Sequence, residues 1–119
     1  MSLTLSARNT VLPIILPGTV YIALHTSNPG DTASANEVAD GSYVRQPVTF
    51  TIDTGTGTAV SDDTLTYELA ATHTITHISI WSSASGGTAV ESQPLTVPVT
   101  VTNGSFIIAA GNITLGGVA

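Results

Sequence analysis

The chain has 119 residues, a formal net charge of −6 and a pI near 4.4, and its only basic side chains are Arg8 and Arg45. Two arginines cannot supply the clustered cations that phosphate binding requires, which argues against nucleic acid, and the same charge disfavours an anionic membrane surface. With no cysteine there are no disulfides, thiolate metal sites or cysteine nucleophile, and no apolar run approaches the roughly 20 residues of a spanning helix.

The length suits one domain with its own core. Charged residues are 8% of the chain, against about 25% in an ordinary soluble domain, so Thr, Ser, Gly and Asn must cover the surface. Such a surface suits packed sheets and protein contacts better than a freely diffusing enzyme. The expectation is a soluble protein made in the cytoplasm. The apolar stretch Leu3 to Leu16 contains Arg8 and Pro13, meets Pro17, and is followed by no small-residue cleavage site, so it does not read as a signal peptide.

Residues 1–17 form the first predicted unit, a short helix or an extended arm. Ser6 is a possible N-cap, and Leu5, Leu12, Ile15 and Leu16 give a rough apolar stripe for one or two turns. Pro13 removes a backbone donor and crowds the preceding turn, so an uninterrupted helix through Ile14 is not expected.

Residues 18–119 read as a single all-β domain. Short runs rich in Val, Ile, Thr and Tyr are punctuated by Asn-Pro-Gly, Asp-Gly, Ser-Gly-Gly and Asn-Gly. Eight strands are predicted, near 19–26, 43–52, 57–60, 64–69, 74–82, 88–93, 97–102 and 105–115, the last with a point of division at Gly111. Turn signals at this spacing suggest a β-sandwich, immunoglobulin-like or jelly-roll-like. In 97–102, Val99 and Val101 share an apolar face. In 74–82, Ile78 and Ile80 lie on one face and His77, Ser79 and Trp81 on the other, the pattern of a strand whose second face is covered by a loop or a neighbouring subunit.

The segment YIALHTSNPGDTASANEVADGSYVRQPVTF, Tyr21 to Phe50, carries the most identity, and THISIWSSASGGTAVESQPLTVPVTVTNGSFIIAAGNITL, Thr76 to Leu115, carries the rest. In this order they resemble a family of small bacteriophage virion structural proteins, variously labelled tail fibre, head decoration or capsid cement. The resemblance implies a non-enzymatic structural protein that forms an oligomer and is incorporated into the virion after assembly in the host cytoplasm.

Chemistry-bearing residues give little to set against that. His73 and His77 are four apart on a predicted strand, a span of about 13 Å, so they could not share a metal, and no carboxylate set completes a site around His25. Asp31, Asn36, Glu37 and Asp40 offer oxygen donors, but their spacing fits no EF-hand, and Asn28-Pro-Gly-Asp31 reads as a turn. Glu68 and Glu91 are the only carboxylate pair to nominate for glycoside cleavage, without motif support, and no nucleophile elbow is present. No cofactor and no enzyme activity are expected. Glu37 and Arg45 are a plausible ion pair across the loop, worth about 0–1 kcal/mol if exposed. Trp81 reads as a core anchor or as an interface hot spot.

The function expected first is capsid decoration: a trimer clamped on the outer shell through the major capsid protein, many small contacts summing to high avidity. The alternative is a tail fibre, baseplate or adaptor module involved in host attachment, although the chain lacks heptads or repeats for a stalk. The candidate partner-binding residues are Leu3, Leu5, Val11, Leu12 and Ile14 in the N-terminal segment, Asn28, Asp31 and Glu37 in the loop 28–42, and Trp81.

Overall fold

The computed structural model of the protein describes residues 4–116. Its first element is a helix, α1 (Leu5–Ile15), capped by Thr4, whose hydroxyl accepts the Ala7 N–H at 3.2 Å. Ser6, the expected cap, lies inside the first turn and its carbonyl accepts the Thr10 hydroxyl at 3.0 Å.

The helix also runs through Pro13, against expectation. Pro13 sits in the last turn, where its ring deletes a single donor, and the Leu16 N–H still closes onto the Leu12 carbonyl at 2.9 Å. A helix this short depends on docking. Leu12 is 3% exposed, and Arg8 donates to the carbonyls of Gly57 and Thr56, each at 3.1 Å, while the Asn9 amide donates to Thr54 at 2.9 Å. Gly57 (φ +64°) allows this approach, because a Cβ there would stand 2.6 Å from Arg8 Nε.

Nine strands follow among the described residues: β1 (Val20–His25), β2 (Gln46–Val48), β3 (Phe50–Asp53), β4 (Thr58–Ser61), β5 (Leu65–Leu69), β6 (His73–Trp81), β7 (Ala89–Val101), β8 (Gly104–Ile108) and β9 (Thr114–Gly116). They form a four-stranded sheet of order β2-β1-β6-β7, a three-stranded sheet β3-β4-β9 and a pair β5-β8, with every neighbour antiparallel.

Two strand divisions differ from the sequence reading. The run 43–52 divides at Thr49, whose N–H donates to Asp63 and whose carbonyl accepts from Asp62, so the chain changes sheets there. The runs 88–93 and 97–102 are one strand, β7, containing a bulge. Ile75 pairs with Val99 and His77 with Pro94, so Thr76 alone faces Leu95, Thr96, Val97 and Pro98. The run 105–115 divides into β8 and β9 on either side of Gly111, as the sequence reading allowed.

The sheets pack as a β-sandwich around one apolar core. Val20, Ile22 and Leu24 of β1 and Ile78 and Ile80 of β6 point inward by strict alternation, against Leu65, Tyr67 and Leu69 of β5 and Phe106 and Ile108 of β8. The buried Tyr67 spans the two layers. Its hydroxyl donates to the Ile22 carbonyl at 2.8 Å, its ring lies 6.2 Å from both Tyr43 and Phe106, and burial pushes its ionisation far above the ordinary tyrosine range.

Because Leu12 belongs to the core and Ile14, 70% exposed, does not, the two residues separate docking from surface roles. Leu12→Ala is expected to lower stability by about 2–4 kcal/mol and Ile14→Ala by less than about 0.5 kcal/mol. Urea unfolding midpoints of the two variants check this; equal midpoints would mean the helix is not part of the packed unit.

Candidate functional site

The second face of the β1–β6 pair is where both segments of the virion-protein resemblance meet. Tyr21, Ala23 and His25 of β1 stand opposite Trp81, Ser79 and His77 of β6. Two of these, His25 and Ser79, are polar and have no exposure at all. A polar group so placed is costly without a partner. The loop from Thr26 to Arg45 folds over this face and supplies partners, Ala33 packing on Ala23 and Trp81.

His25 Nδ1 donates to the Ala35 carbonyl at 2.9 Å, which fixes the tautomer because a carbonyl can only accept. Nε2 then accepts the Ser79 hydroxyl at 2.7 Å, and Ser79 Oγ accepts the Trp81 indole N–H, also at 2.7 Å. The chain of donors runs one way, from Trp81 through Ser79 and His25 to the loop. Burial holds the His25 pKa below its ordinary value, outweighing the bond to Ala35 and the nearby charge of Glu37, while His77 and Arg45 reinforce the depression.

Beside it, Arg45 makes a two-pronged bond to Glu37, Nε to Oε2 and Nη2 to Oε1, both at 2.9 Å. Its guanidinium lies 4.1 Å over the Trp81 ring, and Nη1 donates to the carbonyls of Ser83 and Gly86 at 3.1 and 3.0 Å. Tyr43 donates to Glu37 Oε2 at 2.6 Å and accepts the Leu24 N–H at 3.1 Å. Burial alone would raise the Glu37 pKa, but the bonds from Arg45 and Tyr43 bring it below the usual value, and the Glu37 bond raises that of Arg45 against its own burial. Burial and the bond to Glu37 together push Tyr43 well above the ordinary range.

The end of the loop is tied by Asp40. Its carboxylate accepts the N–H groups of Ser42, Ala70 and Ala71 and is 2.8 Å from His73 Nε2. The Ser42 bond, helped by His73 and the two alanines, overcomes desolvation and lowers its pKa to about 2.

The nominated residues therefore have different situations. Glu37 and Trp81 are interior members of the brace, Trp81 being 6% exposed. Asn28 is exposed, but its Oδ1 accepts the Gly30 N–H at 2.9 Å and its carbonyl accepts the Asn36 amide at 3.0 Å, so it shapes the turn. Asp31 faces solvent. Leu5 and Ile14 are exposed, Val11 is half-buried, Leu12 is in the core, and Leu3 lies outside the described residues.

The oxygen donors considered for calcium are turned to separate partners: Glu37 to Arg45, Asp40 to backbone amides and His73, Asn36 to Asn28. Among the described residues no group of three His, Asp or Glu is placed to hold a metal ion. Glu68 is held by the Ser105 hydroxyl on the β5-β8 pair, whereas Glu91 sits on β7 beside Gln93. Sequence reasoning found the Glu37–Arg45 pair and the covered face, but missed His25, Tyr43, Asp40 and Ser79 as a joined set. Only the β1–β6 register shows that His25 and Ser79 share a face.

Nearly every donor and acceptor in this arrangement is used internally, so what it accomplishes is to hold a long polar loop rigidly on a sheet. The loop's outward side, with Asp31 and the hydrogen-bonded hydroxyls of Thr32 and Ser34, is left as a fixed surface. The sequence profile of the family described as Gp80, podophage GP4 fiber I protein gp80, matches residues 5–116, from the first residue of α1 to the end of β9. The chain belongs to this family. Membership supports a phage virion structural protein and fits the tail alternative better than the capsid-decoration reading placed first on sequence grounds. No curated protein matches the chain. Among the described residues no helix is long and apolar enough to cross a membrane.

Two outcomes follow from the brace. The Arg45 and Glu37 side chains are 9% and 25% exposed, so their coupling exceeds that of a surface pair. A double-mutant cycle on Arg45→Gln and Glu37→Gln is expected to give about 1–3 kcal/mol of interaction, and strict additivity would contradict the geometry. His25, with a folded pKa below the 6.5 of the free side chain, takes up a proton more readily when unfolded. Its contribution to stability is complete above that value and is lost as pH falls below it. Thermal melts from pH 8 to pH 5 should show a decline that His25→Asn reduces; an unchanged slope in the variant would assign the decline elsewhere.

Proposed function

We propose that the protein is a structural module of the phage tail fibre, working by binding and not by catalysis. The observation that carries this reading is the family match across residues 5–116. The module assembles as a homo-oligomer, with three copies the expected number, and attaches to neighbouring tail components that take part in host attachment. The braced loop supports the reading, since a long polar loop on a rigid sheet is a usual place for recognition. The exposed helix positions Leu5 and Ile14 offer a second contact region.

Quantitative mass spectrometry of purified virions, with the major capsid protein as the internal standard, tests the location. The expected result is a small number of copies per particle. A ratio close to one copy per capsid subunit would return the protein to the shell, and its absence from the particle would remove the virion reading.

A further inference from the structure

Residues 28–35 of the covering loop form a small lobe bonded to itself and to Asn36. Asn28 Oδ1 accepts the Gly30 N–H, the Asn28 carbonyl accepts the Asn36 amide, the Ala33 and Ala35 N–H groups donate to the carbonyls of Gly30 and Pro29, and the Thr32 and Ser34 hydroxyls share a bond. Among the described residues one hydrogen bond ties the lobe to the sheet, from His25 Nδ1 to the Ala35 carbonyl at 2.9 Å. Within the lobe only Pro29 and Ala33 are buried. Ala33 holds φ +55°, a left-handed backbone that its Cβ resists, so its packing on Ala23 and Trp81 is made against strain.

Residues 36–45 are fastened differently. The Asn36 carbonyl accepts the Thr26 N–H at 3.0 Å and the Val38 N–H donates to Leu24 at 2.9 Å, which extends the β1 ladder. Beyond them stand the Glu37–Arg45 pair and the Asp40 carboxylate with its amides and His73. Mild acid does not loosen these, because both carboxylates are held below the usual range, Asp40 at about 2, and a proton on His73 strengthens its bond to Asp40. His25 is different. While neutral it accepts the Ser79 hydroxyl at Nε2; once protonated there it can only donate, so the Ser79 oxygen faces the donors of both His25 and Trp81 and its own proton loses its acceptor. The new cation has no exposure. Glu37 attracts it but is already bound by Arg45 and Tyr43, while Arg45, and His77 opposite on β6 when charged, repel it. Water relieves that charge, and water reaches this face when the lobe moves off it.

We propose that the lobe 28–35 is an acid-released cover: a proton on His25 Nε2 lifts it from the β1–β6 face and opens Trp81 to solvent, while residues 36–45 stay bound. Closure excludes the proton, so it is complete above the ordinary histidine value of 6.5 and weakens as pH falls below it, the sense in which burial already shifts His25. Release also frees Ala33 from its left-handed backbone, so strain and charge act in the same direction.

Trp81 is the only tryptophan in the chain, so acrylamide quenching of its fluorescence reads the opening directly. On the full chain from pH 8 to pH 5, imidazole NMR follows the charging of each histidine, circular dichroism follows the sheets, and amide exchange, corrected for its intrinsic pH dependence, follows Ser42, Ala70 and Ala71, which Asp40 binds. The expected result is a severalfold rise in quenching whose midpoint coincides with the His25 titration, with the dichroism and the three protected amides unchanged. His25→Gln, which does not titrate, is expected to abolish the rise; should that variant not fold, the coincidence of midpoints in the unsubstituted chain decides. Constant quenching while His25 charges overturns the proposal, as does a midpoint that follows His73 or His77. A rise seen only as the dichroism collapses makes the event global unfolding, and loss of the Asp40-bound amides overturns its restriction to the lobe.

Discussion

β1 and β6 are covered on both faces, and a strand pair in that position has no water to offer its polar side chains. The inner face needs nothing more than alternating Val, Ile and Leu. The outer face carries His25, Ser79 and Trp81, each with hydrogen-bonding groups that must be met from protein. The Ala35 carbonyl meets one of them, which is possible only if the loop lies down over the sheet. The loop's own polar requirements then fall in turn on Tyr43 and Arg45, and through Arg45 on the carbonyls of Ser83 and Gly86. Loop, sheet and the β6–β7 turn are thereby one mechanical unit.

The rest of the fold depends on this unit being rigid. Tyr43 stacks on Tyr67, and Tyr67 bonds the backbone of β1 from the opposite layer, so the polar brace and the apolar core share a wall. The helix is a more peripheral addition. It closes over the β3–β4 turn through backbone carbonyls that any sequence would present, and only Gly57 is specifically required by the closeness of Arg8 and Leu5.

Much of this was legible from residue pattern. The all-β class and most strand positions follow from runs of β-branched residues between turn signals. The covered second face of β6 follows from a strand that is neither alternating nor wholly apolar. The pairing of Glu37 with Arg45 was legible too, since both bracket one loop. What was not legible depends on register and on tertiary docking. Ser79 looks like a solvated serine until β1 brings His25 opposite. Pro13 looks like a helix breaker until Leu12 and Leu16 are seen anchored in the core. Pro94 and Pro98 were the sequence signal of the bulge in β7, since proline in a sheet keeps to edge strands and bulges, but only the pairing with β6 shows that one strand continues through it. The preference for the capsid shell over the tail rested on the lack of a stalk, a feature of a whole fibre and not of each module within it.

The order of strands also governs how the chain can fold. β1 lies in the middle of its sheet and pairs on one side with β6, while β4 waits for β9 and β5 for β8. No sheet can be completed by the first half of the chain alone. As the protein leaves the ribosome, β1 and its half-built loop have to persist without their central partner until most of the sequence has been made, and the last strand closes the β3-β4-β9 sheet. Folding dominated by such distant pairings is slow and exposes unpaired strands on the way. The acidic, lysine-free composition helps nascent chains repel one another during that interval.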